Sequence, residues 1–169
     1  MSERAALAAV VYDENEPIDA LFAQLRQELE ERGRRVGGII QTPCEESVFA
    51  THIETGRRID LMQHLGACAE GCRLDTTALA EAAGLLAQSL AAAPDLLLIS
   101  RFGRAEIEGG GFLAEIGAAA SAETPTLIGV GAKRAADWRA YTGDFAETLP
   151  FSLEALLTWW EAVAPKAPT

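Results

Sequence analysis

The stretch PDLLLISRFGR, residues 94–104, decides the fold. Leu96, Leu97, Leu98 and Ile99 follow one another with no polar position between them. A strand of that composition is buried on both faces, as in parallel sheets covered by helices above and below. Upstream, residues 76–92 are rich in alanine and leucine and read as a helix, with Asp75 as its N-cap. Downstream, after the glycine-rich turn Gly109–Gly111, residues 112–122 read as a second helix and PTLIGV (125–130) as another buried strand.

Further out the alternation continues. AALAAVVY (5–12) is a short apolar run ending in the turn DENEP (13–17), a first strand. Ile18, Leu21, Phe22, Leu25 and Leu29 then recur at helical spacing, and the helix is expected to close at Arg32-Gly33 with a basic last turn and a glycine stop. VGGIIQ (36–41) is a second strand. Ser47–Ile53 and Arg58–Met62 read as a hairpin turning at Glu54–Arg57, followed by a loop with two cysteines. The remainder gives a helix from Ala135 or Asp137, a short segment at 148–150, and a closing helix at 153–162 with Trp159 and Trp160. The expected architecture is one α/β domain over residues 1–169: a doubly wound, mainly parallel sheet with a hairpin-and-loop insert at about 42–75.

The 169 residues are 49% hydrophobic and 23% charged, an ordinary globular composition. A formal net charge of −11 argues against general nucleic-acid binding and against anionic membrane surfaces. No apolar run reaches the roughly 18 residues of a membrane span, and acids follow the first apolar stretch where a leader would carry a cleavage site. The expected location is the cytoplasm, with Cys44, Cys68 and Cys72 as reduced thiols.

In open parallel sheets, ligands bind beyond the carboxyl ends of the strands. That rule selects Tyr12–Asn15, Gln41–Cys44, Ser100–Glu106 and Val130–Lys133. Gln41, Arg101, Arg104 and Lys133 are the groups there suited to an anion, because guanidinium binds oxyanions bidentately. The plainer alternative pairs Arg101 and Arg104 with Asp95, Glu106 or Glu108 at a solvated loop. His64, Cys68 and Cys72 have the donor chemistry for zinc, but a structural site wants a fourth ligand, with Cys44 and His52 the remaining candidates; no metal is assigned. A nucleophilic role for Cys72 lacks a base placed by sequence, and a small buried thiol is the commoner role.

YDENEPID (12–19) stands where a phosphate loop would lie, yet offers neither the glycines nor the lysine such a loop uses. A solvated turn, with Asp or Asn capping the next helix, is its plainer reading.

AAVVYDENEPIDALFAQL, VGGIIQ, GCRLD (71–75), RFGRAEIEGGGF (101–112), DWRAYTG (137–143) and the terminal tryptophan helix together resemble a bacterial family catalogued as a domain of unknown function and described as lying beside molybdate-uptake and nitrogenase genes. The order of elements is also similar to small nucleoside triphosphatases and molybdopterin-guanine-dinucleotide accessory GTPases of the P-loop type. Where those carry the Walker A loop this chain has Asp13–Pro17, and where Walker B supplies an acid its strand ends in Ser100-Arg101. Residues matching the family pattern are Gln41, Gly71, Cys72, Arg73, Asp75, Phe102, Gly103, Arg104, Glu106 and Gly109.

The resemblance implies a non-catalytic binder of molybdate, tungstate, phosphate or a nucleotide phosphate, serving molybdenum handling. In that reading Arg73 and Arg104 neutralise the anion, while Gln41 and the amides of Gly71-Cys72-Arg73 and Gly103-Arg104 orient it, with Arg101 and Glu106 beside them. An enzymatic alternative is a slow triphosphatase using Arg101 or Arg104 against transition-state charge and Glu106 to position water. A third reading docks a partner or a second copy on the Trp159/Trp160 helix, for which a core position is the commoner role.

Overall fold

The computed structural model describes residues 5–44, 47–63, 73–74, 76–102, 112–143 and 145–164. In chain order these form β1 (Leu7–Tyr12), α1 (Ile18–Glu31), β2 (Val36–Cys44), β3 (Ser47–His52), β4 (Arg58–Asp60), β5 (Met62–Gln63), β6 (Arg73–Leu74), α2 (Thr76–Ala91) and β7 (Leu96–Phe102). They continue with α3 (Leu113–Ser121), β8 (Thr126–Gly131), a 3₁₀ turn (Ala132–Arg134), α4 (Ala135–Thr142), β9 (Glu147–Leu149) and α5 (Leu153–Val163). The main sheet has seven strands in the order β4-β3-β2-β7-β8-β1-β9, and β5 pairs with β6 in a separate two-stranded ladder. Strands β2, β7, β8, β1 and β9 are mutually parallel, while β3 and β4 add an antiparallel meander at one edge. The expected mainly parallel α/β sheet with its hairpin is what forms.

Side-chain alternation along the strands feeds two cores. Leu97 and Ile99 pack with Leu7, Ala9 and Ile128 under α2, α3 and α4. Leu96 and Leu98 pack with Ala8, Val10 and Leu127 under α1 and α5. Trp159 and Trp160 belong to this second core, so the closing helix is a structural layer and its tryptophans are not an exposed docking surface. The Trp159 indole N–H donates to Ala5 O at 2.9 Å and that of Trp160 to Asp95 O at 3.1 Å. Each satisfies a buried polar tip while tying α5 to the entry of a strand.

The meander is longer than its sequence indicates. The second strand runs on past Gln41 to Cys44 because Pro43, opposite Val48, breaks no ladder. Val48 turns its carbonyl to Leu61 and His52 its amide to Arg57, so these residues bond outward. Pro43 therefore sits at a non-bonded pair with its nitrogen on the side where the β2–β7 ladder, which ends at Ile39↔Ile99, has stopped. The fourth strand is shorter than expected, and Met62 leaves it to pair with Leu74. At the end of α1, Arg32 is the cap and lies outside the last turn, where Glu28, Glu30 and Glu31 leave no basic residue. Arg32 compensates by pairing with Glu28 and with Glu161 of α5.

Gly38 is fixed by packing as well as by conformation. Its φ is +128°, and a Cβ built there would stand 1.9 Å from Leu98 O in β7. Gly33, at φ +78°, has nothing within 4 Å of the same position. Gly33→Ala is expected to cost about 1 kcal/mol, the left-handed penalty alone. Gly38→Ala should cost at least about 3 kcal/mol, since strain adds to a backbone collision. Urea denaturation of both variants checks the contrast.

Candidate functional site

The chain leaves β1 and β8 toward opposite faces of the sheet. After β1, residues 13–17 lead to α1 in one core; after β8, residues 132–134 lead to α4 in the other. These strands are adjacent, with Tyr12 opposite Gly131 at their carboxyl ends. A crevice at such a reversal is the usual ligand position in open parallel sheets.

The wall contributed by β1 is a turn that consumes its own amides. Asp13 N–H donates to Glu16 Oε1 at 2.8 Å, Glu16 N–H to Asp13 O at 2.9 Å, and Ile18 N–H to Glu16 O at 3.0 Å. Pro17 has no N–H and is the N-cap of α1, without any side-chain capping bond. The expected Asp or Asn cap is therefore replaced by a proline-initiated helix, whose entry geometry the fixed proline φ supplies. A phosphate loop works by aiming free amides at an anion. Here those of residues 13, 16 and 18 are occupied, one of them by a carboxylate.

On the connection that follows β8, Lys133 Nζ lies 2.6 Å from Glu14 Oε1. Both side chains are well exposed, and the lysine holds the Glu14 carboxyl below its ordinary value, first by the hydrogen bond and then by charge. Arg134 beside it is exposed as well.

On the other side of β8, strand β7 carries a bulge. Its register slips between Ile99 and Phe102, so the strand inserts an extra residue before its end. Gly129 accommodates the bulge: a Cβ there would stand 2.4 Å from Ser100 O. Ser100 is buried, and its Oγ accepts the Gln41 N–H at 2.5 Å just past the last β2–β7 rung. Ser100 thus takes a backbone-satisfying role near the end of β7.

Gln41 lies within β2, two positions past its last rung with β7, and Arg101 is next to the end of β7. Arg73 lies apart from the main sheet, in the β5–β6 ladder. Gly71, Cys72, Gly103, Arg104 and Glu106 lie outside the described residues, as do His64, Cys68 and the Asp75 cap. Asp95 is at the amino end of β7, bound to Arg34 and to the Arg35 N–H.

His52 is spoken for. It is buried between two hydroxyls, with Nδ1 2.8 Å from Thr55 Oγ1 and Nε2 2.8 Å from Ser89 Oγ. Ser89 also donates to Leu85 O, and the Arg57 N–H donates to Thr55 Oγ1. Glu54 reaches the same ring at 3.4 Å and accepts the Gly38 N–H at 3.1 Å. A serine–histidine contact has the spacing of a nucleophile and base, but Ser89 is 1% exposed in the last turns of α2, so no substrate reaches it. Among the described residues no group of three or more His, Cys, Asp or Glu is arranged to hold a metal. Among them, too, no helix is long and apolar enough to cross a membrane.

The sequence profile of DUF2478, described as a protein of unknown function, matches residues 7–159. The chain belongs to the DUF2478 family. This DUF2478 chain is also 33% identical over 160 residues to a Bradyrhizobium diazoefficiens protein named molybdenum import ATP-binding protein ModC 2. The alignment takes in 91% of the chain but 18% of that much longer relative. Among solved structures it is similar to a human cancer-related nucleoside triphosphatase, with a TM-score of 0.66 at 13% identity over 90% of this chain and 95% of that one. It is similar also to THEP1 from Aquifex aeolicus, with a TM-score of 0.63 at 10% identity over 92% of this chain and 95% of that one. At these identities the likeness is one of fold: the DUF2478 chain has the sheet of a P-loop nucleoside triphosphatase.

Two outcomes test this geometry. Ser100→Ala leaves the Gln41 N–H without its acceptor and should cost about 1–3 kcal/mol in chemical denaturation. In Lys133→Met the Glu14 carboxyl should titrate higher than in the parent, toward its ordinary 4.5, when followed by carboxyl NMR. Since the folded value is the lowered one, the pair favours the folded chain above pH 4.5 and that contribution is lost as pH falls through the lowered value.

Proposed function

We propose that this domain binds a tetrahedral oxyanion at the carboxyl edge of its sheet, molybdate or tungstate in preference to phosphate, and acts without nucleotide turnover as an accessory in molybdenum handling. The observation that carries this reading is the closed turn at Asp13–Ile18. A P-loop scaffold whose first loop bonds the amides of residues 13, 16 and 18 within its own turn, and whose surface is lined by Asp13, Glu14 and Glu16, is poorly suited to a magnesium triphosphate. In this reading the loop is a degenerate Walker A, and the strand end at Ser100-Arg101 has given up its metal-binding acid in the same way.

Small oxyanions need fewer groups. Gln41 and Arg101 are residues of the neighbouring strands β2 and β7 with the amide and guanidinium chemistry an oxyanion takes, and Arg104 and Glu106 follow Arg101 closely in sequence. The choice of molybdate rests on the relative named for molybdenum import. The aligned portion of that protein corresponds to a chain with no GxxxxGK[ST] sequence anywhere in it, so the shared part is a companion to an ATP site in this proposal.

A thermal-shift screen of the metal-stripped protein against molybdate, tungstate, sulfate, phosphate, Mg-ATP and Mg-GTP tests the reading. Molybdate or tungstate should raise the melting temperature by several degrees without magnesium, through ligand linkage. A shift confined to the magnesium nucleotides would replace it with a triphosphate-binding function.

A further inference from the structure

We propose that Glu14 is an internal substitute for the anion: in the free domain its carboxylate occupies the Lys133 ammonium, and an incoming oxyanion binds in the β1/β8 crevice by displacing it. This rests on the oxyanion-binding reading above and adds to it a ligand residue, Lys133, and a means of regulation.

Position comes first. The two residues lie on the connections that leave neighbouring strands toward opposite faces, so their contact bridges those two connections at the carboxyl edge of the sheet. Glu14 sits on the closed Asp13–Glu16 turn, whose backbone bonds hold it in place whether or not the carboxylate keeps its partner. Lys133 sits in the short 3₁₀ turn that follows Gly131. At Gly131 a Cβ would meet nothing within 4 Å, so the end of β8 is uncrowded at that position.

Energetics come second. The side chains of Lys133 and Glu14 are 82% and 79% exposed, so the pair is a contact in high dielectric that little else holds. Exchange of one anion for another on the ammonium is therefore inexpensive. A doubly charged oxyanion attracts the lysine more strongly than a single carboxylate does. Asp13, Glu14 and Glu16 also repel the incoming anion, so only one that gains more from the ammonium than it loses to these carboxylates makes the exchange. The arrangement sets a threshold: a dianion at sufficient concentration opens the pair, and weaker anions leave it closed.

Isothermal titration of the whole chain with sodium molybdate and with sodium phosphate tests this, using the wild type, Glu14→Gln, Lys133→Met, the double variant, and Asp13→Asn as a control. Because both paired side chains are exposed, the variants should fold, and circular-dichroism melts verify it. Glu14→Gln is expected to bind about fivefold more tightly and Lys133→Met about fivefold more weakly, the scale of one close charge pair in water. Asp13→Asn should change affinity less than Glu14→Gln. The decisive comparison is the double variant: with Lys133 gone, removal of Glu14 should bring little further gain.

An equal gain from Glu14→Gln in both backgrounds would mean general repulsion and would overturn the proposal. Indifference of affinity to Lys133→Met would overturn it as well. If the wild type binds molybdate and the variants match it, displacement fails while oxyanion binding stands. If no form of the chain binds either anion, the functional reading and this inference fall together.

Discussion

Leu96, Leu97, Leu98 and Ile99 are fully buried, alternately beneath two separate helical layers, and the rest of the molecule is arranged around that central strand. A strand without an exposed face requires hydrogen-bonded neighbours on both edges and helices on both sides. Strands β2 and β8 supply the edges in parallel register. On the β2 side the approach is so close that Gly38 admits no side chain against Leu98 O, and on the β8 side Gly129 admits none against Ser100 O. The glycines are thus consequences of where β7 must lie.

The same strand fixes the site. Its ladders end at Ile99 on one side and at the bulged Phe102 on the other, so the edge of the sheet steps from Gln41 to Ser100 to Gly131 to Tyr12. Reversal of winding between β8 and β1 opens the sheet at the last of these steps. What faces that opening is unlike a phosphate loop: a turn that bonds to itself, and an acid already seated on a lysine. The fold depends on buried aliphatic strands, whereas the chemistry at the edge of such a sheet depends on a few residues of exposed turns.

Polar groups elsewhere are committed to architecture. His52 fastens the meander to α2 through Ser89 and lies beside Glu54, whose carboxylate accepts the Gly38 amide. Arg34 stacks on Trp160 with its guanidinium carbon 5.2 Å from the ring centroid, and also reaches Asp95. Each buried polar group in these clusters has a partner, as the cost of leaving one without a partner demands. Such clusters resemble functional constellations in residue type and differ from them in access.

Sequence by itself determined the elements whose signal is continuous burial or helical period: β1, β7, β8, α1, α2 and α5 follow from runs of apolar residues with glycine and proline between them. It also placed Arg101 and Lys133 at or just past strand ends, whereas Gln41, expected to close the second strand, lies inside β2, which runs on to Cys44. It did not reveal the extension of β2 through Pro43, since whether a proline disrupts a ladder depends on which way its nitrogen faces. The two-residue strands β5 and β6 carry too few side chains to show a period. The proline cap of α1, the amides of residues 13, 16 and 18 turned inward, and the meeting of Glu14 with Lys133 were decided only by the tertiary structure. Those last features bring together groups far apart in the chain or depend on backbone direction within a turn, and neither leaves a pattern along the sequence.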